Sequence, residues 1–313
     1  MPTYEVDLKE LLDAGCHFGH QARRWNPKMK KFIYTERDGV HIFDLVKTGK
    51  NLEEAMEFVR DLVRVGKEVV FVGAKRQAKA IVREEATKVG APYVTERWLG
   101  GMLTNWDEME KRLKKLTKLK KQRDNDELTK YTKKERLLID KEIGRLERFF
   151  GGIATLTKKP DALFVVDTHR ESTAVYEAGR VGAKVIGLVD SNADPSVVDF
   201  PIPVNDDAVR SIKLMVEKIA QAYADGKTMQ AKDPAFVKPV AQAPITVNQP
   251  AQPKPSNQVQ NKAPRPAETK PAPAASDKLK ATASQAKPKK VLKPTDTKKK
   301  ATKKKAAPIK KKK

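Results

Sequence analysis

Residues 67–90 read KEVVFVGAKRQAKAIVREEATKVG, and this stretch decides the fold class. Glu68–Val72 is a short apolar, β-branched run that ends at Gly73. A strand that is apolar at every position belongs to a sheet covered on both faces. From Lys75 to Val89 the apolar residues return at helical spacing, and Gly90 follows as a C-cap. A buried strand that passes into a helix is the start of a crossover, the connection that parallel strands require.

The same alternation extends outward. Asn51–Val65 carries Leu52, Ala55, Met56, Val59, Leu62 and Val63 at helical spacing. Tyr93–Thr95 is a short strand, and Asp161–Asp167 contains the buried-strand run LFVVD. Ser172–Val181 is helical and is followed by Gly182, and Lys184–Asp190 (KVIGLVD) is a further strong strand. Pro201–Val204 is a weaker one. Asp206–Ala224 is a last amphipathic helix with Val209, Ile212, Met215, Val216 and Ile219 on one face. This order predicts an α/β domain with a doubly wound, mainly parallel sheet flanked by helices. No repeat of 20–50 residues is visible, which argues against a solenoid or propeller.

One stretch, residues 104–150, has no strand pattern. Trp106, Met109, Leu113 and Leu116 make one narrow seam, and Ile139, Ile143, Leu146 and Phe150 make another, with the polar KKQRDNDELTK between them. Two such seams predict an inserted antiparallel helical hairpin of coiled-coil type. The stretch holds 15 Lys+Arg against ten Asp+Glu.

Charge divides the chain in two. Of a formal net charge of +24 over 313 residues, +18 lies in residues 231–313, together with 13 of the 20 prolines and none of the 16 glycines. That Pro/Ala/Lys-rich composition predicts a disordered basic tail, because too little apolar surface is available to offset the chain entropy. Residues 1–230 have the composition of one α/β domain with a real core. No run of about 18 apolar residues is present, so no membrane span is expected. MPTYEVDLKELLDAG at the start has neither signal-peptide nor transit character. The single cysteine, Cys16, excludes an intramolecular disulfide and fits a cytoplasmic location. The positive balance points to a polyanion, nucleic acid before membrane.

Four motifs contain residue types that could carry chemistry. VGAKRQA after the first strand lacks the three glycines of a dinucleotide site and the GK[ST] of a triphosphate loop, so Gly73 reads as a βα-turn glycine and no nucleotide cofactor is expected. Cys16, His17 and His20 are close enough to suggest zinc, but the interleaved Gly15 and Gly19 and the missing second ligand pair favour a packed turn, with no metal. Asp167 and Asp190 stand at strand carboxyl ends, where open α/β sheets bind ligands. Capping and turn roles are favoured for them, since no nucleophile elbow accompanies them. HQARRWNPKMKKFIY (20–34) interleaves Arg23, Arg24, Lys28, Lys30 and Lys31 with Trp25, Phe32 and Tyr34, and ERWLGGMLTNW (96–106) pairs Arg97 with Trp98. Such segments suit phosphates and bases. Aromatics that pack inward while cations face out would read the same way.

Those stretches carry a specific resemblance. HFGHQARRWNPKMKKFIYTERDGVHIFDL (17–45), RWLGGMLTNW (97–106), PDALFVVD (160–167), DSNADP (190–195) and IPVNDDAVRSI (202–212) resemble the bacterial small-subunit ribosomal protein two family, over residues 3–226 in order and spacing. The resemblance implies a parallel α/β domain with a projecting coiled-coil hairpin. It implies a non-enzymatic constituent of the small subunit that binds ribosomal RNA and supports assembly and translation. It also implies neighbouring ribosomal proteins as partners, ribosomal protein one among them where the organism has it, and no homo-oligomer. The RNA-binding candidates are Arg23, Arg24, Trp25, Asn26, Lys28, Lys30, Arg97 and Trp98 in the matching segments. Lys111, Arg112, Lys114, Lys115 and Lys118 of the hairpin are added on charge alone. Arg24 stands where the family usually has an aromatic residue and Lys31 where it has proline. The tail has no counterpart in the family pattern. The alternative is an α/β enzyme on a phosphorylated or nucleotide substrate, with its site at Asp167 and Asp190. A third reading gives the tail a messenger- or adaptor-binding role.

Overall fold

The computed structural model describes residues 4–232. The tail predicted for residues 231–313 therefore lies almost wholly outside the described residues. In chain order the elements are α1 (Leu8–Asp13), β1 (Phe18–Gln21), β2 (Ile33–Arg37), β3 (Val40–Phe43), α2 (Leu45–Arg64), β4 (Val69–Val72), α3 (Lys79–Val89) and β5 (Tyr93–Val94). They continue as α4 (Trp106–Asp124), α5 (Lys133–Phe150), β6 (Ala162–Val166), α6 (Ser172–Val181), β7 (Lys184–Val189), β8 (Phe200–Pro203) and α7 (Val209–Lys232).

β4 to β8 form one five-stranded parallel sheet in the order β5-β4-β6-β7-β8. Apart from the exposed Lys184 that opens β7, its strands are apolar throughout, because alternate side chains enter different layers. Val69, Phe71, Phe164, Ile186 and Ile202 join α2, α3 and α7 in one core. Val70, Val72, Leu163, Val165, Val185 and Val189 join α4, α5 and α6 in the other. The helices thus cover both faces, as expected of a doubly wound sheet. The strand order reverses between β4 and β6, and the crevice beyond their carboxyl ends is the place such sheets use for ligands. Gly73 follows β4; a Cβ there would lie 2.7 Å from Val82 Cγ2, so its glycine serves strand-to-helix packing.

The helix boundaries follow their caps. α2 begins six residues earlier than the periodicity alone indicated, because Asp44 caps it by accepting the Val46 N–H. α5 begins at a capping box of Thr132 and Glu135. α4 buries Met109, Leu113 and Leu116, and α5 buries Ile143, Leu146 and Phe150, all in the core on one sheet face. Lys115 pairs with Glu142 and Lys120 with Glu147 between the two helices.

A second sheet was not foreseen. β1, β3 and β2 form an antiparallel three-stranded sheet in that order. β2 and β3 are joined by Asp38-Gly39, both at positive φ (53° and 74°), the two-residue hairpin that suits strand twist. Among the described residues no helix is long and apolar enough to cross a membrane.

Candidate nucleic-acid interface

The segment 20–34 leaves the small sheet, crosses the carboxyl ends of the large one, and returns. Its apolar residues anchor it: Met29 and Phe32 are buried, and the Trp25 ring lies 5.0 Å from that of His41. Its polar residues fix the path. The His20 N–H donates to Ser191 Oγ at 2.9 Å, and the Asn26 N–H donates to the Ser191 carbonyl at 2.7 Å. Asn26 Oδ1 accepts the Lys28 N–H at 3.0 Å, so Asn26 shapes the turn rather than projecting. Arg23, Arg24, Lys28, Lys30 and Lys31 are all exposed. Of the three rings, Phe32 packs inside and Trp25 is half-buried, whereas Tyr34 is 77% exposed among the outward cations. Lys28 is already engaged, its Nζ lying 2.7 Å from Asp194 and 2.8 Å from Ser196 Oγ. The Lys28 ammonium accordingly holds the Asp194 carboxyl down at about 2.

The second segment is built around a carboxylate that sequence reasoning did not single out. Glu177, 4% exposed on α6, accepts from Gly101 N at 2.7 Å, Leu103 N at 2.9 Å, Thr104 N and Thr104 Oγ1 at 3.2 Å each, and Trp98 Nε1 at 3.3 Å. Burial alone would push Glu177 up; the donors of Leu103, Gly101 and Thr104 outweigh it, and the net direction is down. Gly101, at φ 91°, bends the chain so that these amides converge. Trp98 is therefore a buried strut, whereas Arg97 beside it is exposed. On α4 the five hairpin candidates are exposed. Lys111 and Arg112 lie 3.5 and 3.8 Å from Glu108, and Lys114 lies 2.8 Å from Glu110. Exposed pairs of this kind hold their cations weakly, so a phosphate can replace the carboxylate.

Beyond the carboxyl ends of β4, β6, β7 and β8 lies a compact charged cluster. Lys75 Nζ is 3.1 Å from Asp167, 2.7 Å from Asp206 and 2.7 Å from Asp207. His20 Nδ1 is 3.0 Å from Asp190, and its Nε2 is 3.4 Å from Asp207. Four carboxylates thus surround two cationic side chains. The Asp190 bond raises His20 to about 8 against the opposing effect of burial. Burial, together with repulsion from Asp190 and Asp167, raises Asp206 to about 7. Burial would lower Lys75, but Asp206, Asp207 and Asp167 reverse this and raise it. Asp190 also accepts the N–H groups of His20, Ser191 and Asp206, which is the turn role the sequence favoured. Asp167 sits at φ 65° and accepts the Arg170 N–H. Of the Cys16–His17–His20 trio, Cys16 is buried, and its thiol is pushed up to about 11 by burial. The residues that could hold a cation are instead His20, Asp190 and Asp206, whose ligand atoms lie within 4.8 Å of one another. Their approach depends on folding, since β1, β7 and β8 bring together residues far apart in the chain.

The fold and these two segments define a class: an α/β protein with basic loops set on the carboxyl edge of its sheet, above a self-paired charged cluster. The family model described as ribosomal protein S2 matches residues 11–226, and the chain belongs to that family. It is 50% identical over 222 residues to the small ribosomal subunit protein uS2 of Microcystis aeruginosa, covering 71% of this chain and 84% of that protein. The uS2 protein of Roseiflexus sp. is likewise 50% identical, over 71% of this chain and 85% of its own length. That of Mycobacterium sp. (strain KMS) is 48% identical over 238 residues, 76% of this chain and 84% of its own. The chain is a ribosomal protein and not an enzyme, which sets aside the catalytic alternative at Asp167 and Asp190.

Proposed function

We propose that the chain is a structural constituent of the small ribosomal subunit that grips ribosomal RNA through the loops 20–34 and 97–106 and the outer face of α4, supporting subunit assembly and translation. One observation carries the reading. Met29 and Phe32 of loop 20–34 are buried and its cations are exposed, so the loop is an anchored rack of charges rather than a mobile tether. Such contacts position a protein on phosphates without reading bases, and the shape of folded RNA supplies the specificity. Residues 104–150 serve in this reading as a projecting antiparallel coiled-coil hairpin, supported by the two buried seams on α4 and α5.

Residues 1–230 are then the ribosomal domain, acting as a single copy in the cytoplasm. Ribosomal RNA and neighbouring small-subunit proteins are its partners, ribosomal protein one among them where present. The tail 231–313, with its Lys runs, adds nonspecific affinity for polyanions. If about six phosphates are neutralised, affinity falls with a log–log salt slope of about −5. The test is co-sedimentation with small subunits across a salt series, with and without residues 231–313. The reading requires retention at low salt, release as salt rises, and incorporation without the tail. Absence from purified small subunits at every salt concentration would end it.

A further inference from the structure

α6 has an outer face that the RNA-gripping loops do not use. Its inner residues Ala174, Val175 and Ala178 are buried against the sheet, as the helical period requires. The opposite face borders a cavity of about 750 Å³ whose walls include Thr168, His169, Tyr176, Gly179, Arg180 and Val197. Tyr176 is 64% exposed, and the Arg180 Cζ lies 5.3 Å from its ring centroid. Those residues are four apart, so ring and guanidinium share one helix face. Among the described residues Arg180 makes no ion pair with a carboxylate, in contrast to Lys28 on the nearby loop.

Two further observations point to something outside the chain. Gly179 lies inside α6, where glycine is the least favourable residue short of proline. Nothing in the fold asks for it: a Cβ at Gly179 would meet no atom within 4 Å, whereas one at Gly152 would meet Tyr93 O at 2.2 Å. Its bare backbone leaves a flat floor beside the Tyr176 ring. The second observation is Thr168, which is buried on the cavity wall and has no hydrogen-bond partner for its Oγ1. The cavity also adjoins loop 20–34, because Asp194 on its wall holds the Lys28 ammonium.

We propose that this groove seats one nucleotide of single-stranded RNA. The base stacks on Tyr176 over the bare backbone of Gly179, and the phosphate is gripped by Arg180. A planar ring, a bare stretch of backbone and a guanidinium without a carboxylate partner among the described residues match a nucleotide in shape and charge. The inference rests on the RNA-binding reading above and adds a site to it.

The test uses the full chain bound to small-subunit ribosomal RNA transcribed in vitro, across a salt series. Gly179→Ala should raise or preserve the melting temperature of the free chain while lowering RNA affinity about fivefold or more, the effect of losing one stacked base. Tyr176→Ala should lower affinity similarly, and Tyr176→Phe and Tyr176→Trp should restore it. Ultraviolet cross-linking of the bound wild-type chain should join Tyr176 to a nucleotide. Unchanged affinity for Gly179→Ala and Tyr176→Ala would overturn the proposal, as would a cross-link in assembled subunits from position 176 to a protein. If the unsubstituted chain fails to bind the RNA, the proposed function falls and the groove with it; failure of the variants alone removes only the groove.

Discussion

Replacing Glu177 by Gln tests how the second RNA-facing segment is held. Glu177 Oε1 accepts the N–H groups of Gly101 and Trp98, and Oε2 accepts Leu103 N, Thr104 N and Thr104 Oγ1. A glutamine amide must put its NH₂ where one of these oxygens stood. In its better orientation it faces two donors with a donor and keeps the remaining bonds without their charge assistance. Hydrogen bonds to a charged group contribute roughly 1.5–3 kcal/mol each. Relief of the buried charge offsets part of the loss, so the net cost is about 3 kcal/mol. For a domain of this size roughly 2–4 °C accompany each kcal/mol, giving a fall in melting temperature of about 6–12 °C. The assay is thermal unfolding by circular dichroism, repeated as pH is lowered. Glu177 is held below its ordinary value in the fold. Its stabilisation is therefore complete above about 4.5 and is lost as pH falls through the lower folded value. The wild-type chain should show that acid-side loss and Glu177→Gln should lack it. A melting temperature within about 2 °C of wild type, or an unchanged acid profile, would refute the reasoning.

Other outcomes follow from the same geometry. His20, raised to about 8 by Asp190, contributes stability that is full below its unfolded value near 6.5 and is lost as pH rises through 8. That contribution is about 2 kcal/mol; urea midpoints from pH 6 to 9 should fall for wild type and flatten for His20→Asn. Gly152→Ala would place a Cβ 2.2 Å from the Tyr93 carbonyl oxygen, so it should cost at least about 3 kcal/mol by overpacking against backbone, read as a lowered unfolding midpoint or loss of soluble protein. Arg23 and Arg24 both replaced by Ala should weaken RNA binding at low salt and reduce the log–log salt slope by about 2, with little change in melting temperature, because both are exposed.

The large sheet was legible because each of its strands is a continuous apolar run set between helices of 3.6-residue period. Both signals survive in a single sequence. The small sheet was not, since β1 and β2 lie largely on the surface and carry no alternation, as FGHQ and IYTER illustrate. Its one readable signal was Asp38-Gly39, the two-residue hairpin pair. Helix ends were blurred where capping rather than apolar spacing sets them, as at Asp44. The exposed cations of loop 20–34 could be named from the sequence, but the engagement of Lys28 with Asp194, 166 residues away, could not. Trp98 read as a ring for RNA because aromatic residues beside arginine suggest stacking, yet the fold spends it as a donor to Glu177. Glu177 itself was hidden, since an acid in a helix is ordinarily solvated and only the folded loop shows what it holds.

The central claim is that the exposed cations of loops 20–34 and 97–106 are the chain's grip on ribosomal RNA. A structure of the intact small subunit containing this chain tests it most directly. The account predicts Arg23, Arg24, Lys30 and Arg97 within hydrogen-bonding distance of RNA phosphates, with Met29, Phe32 and Trp98 still buried beneath them. It is contradicted if those cations face solvent or protein while the RNA meets the chain through another surface.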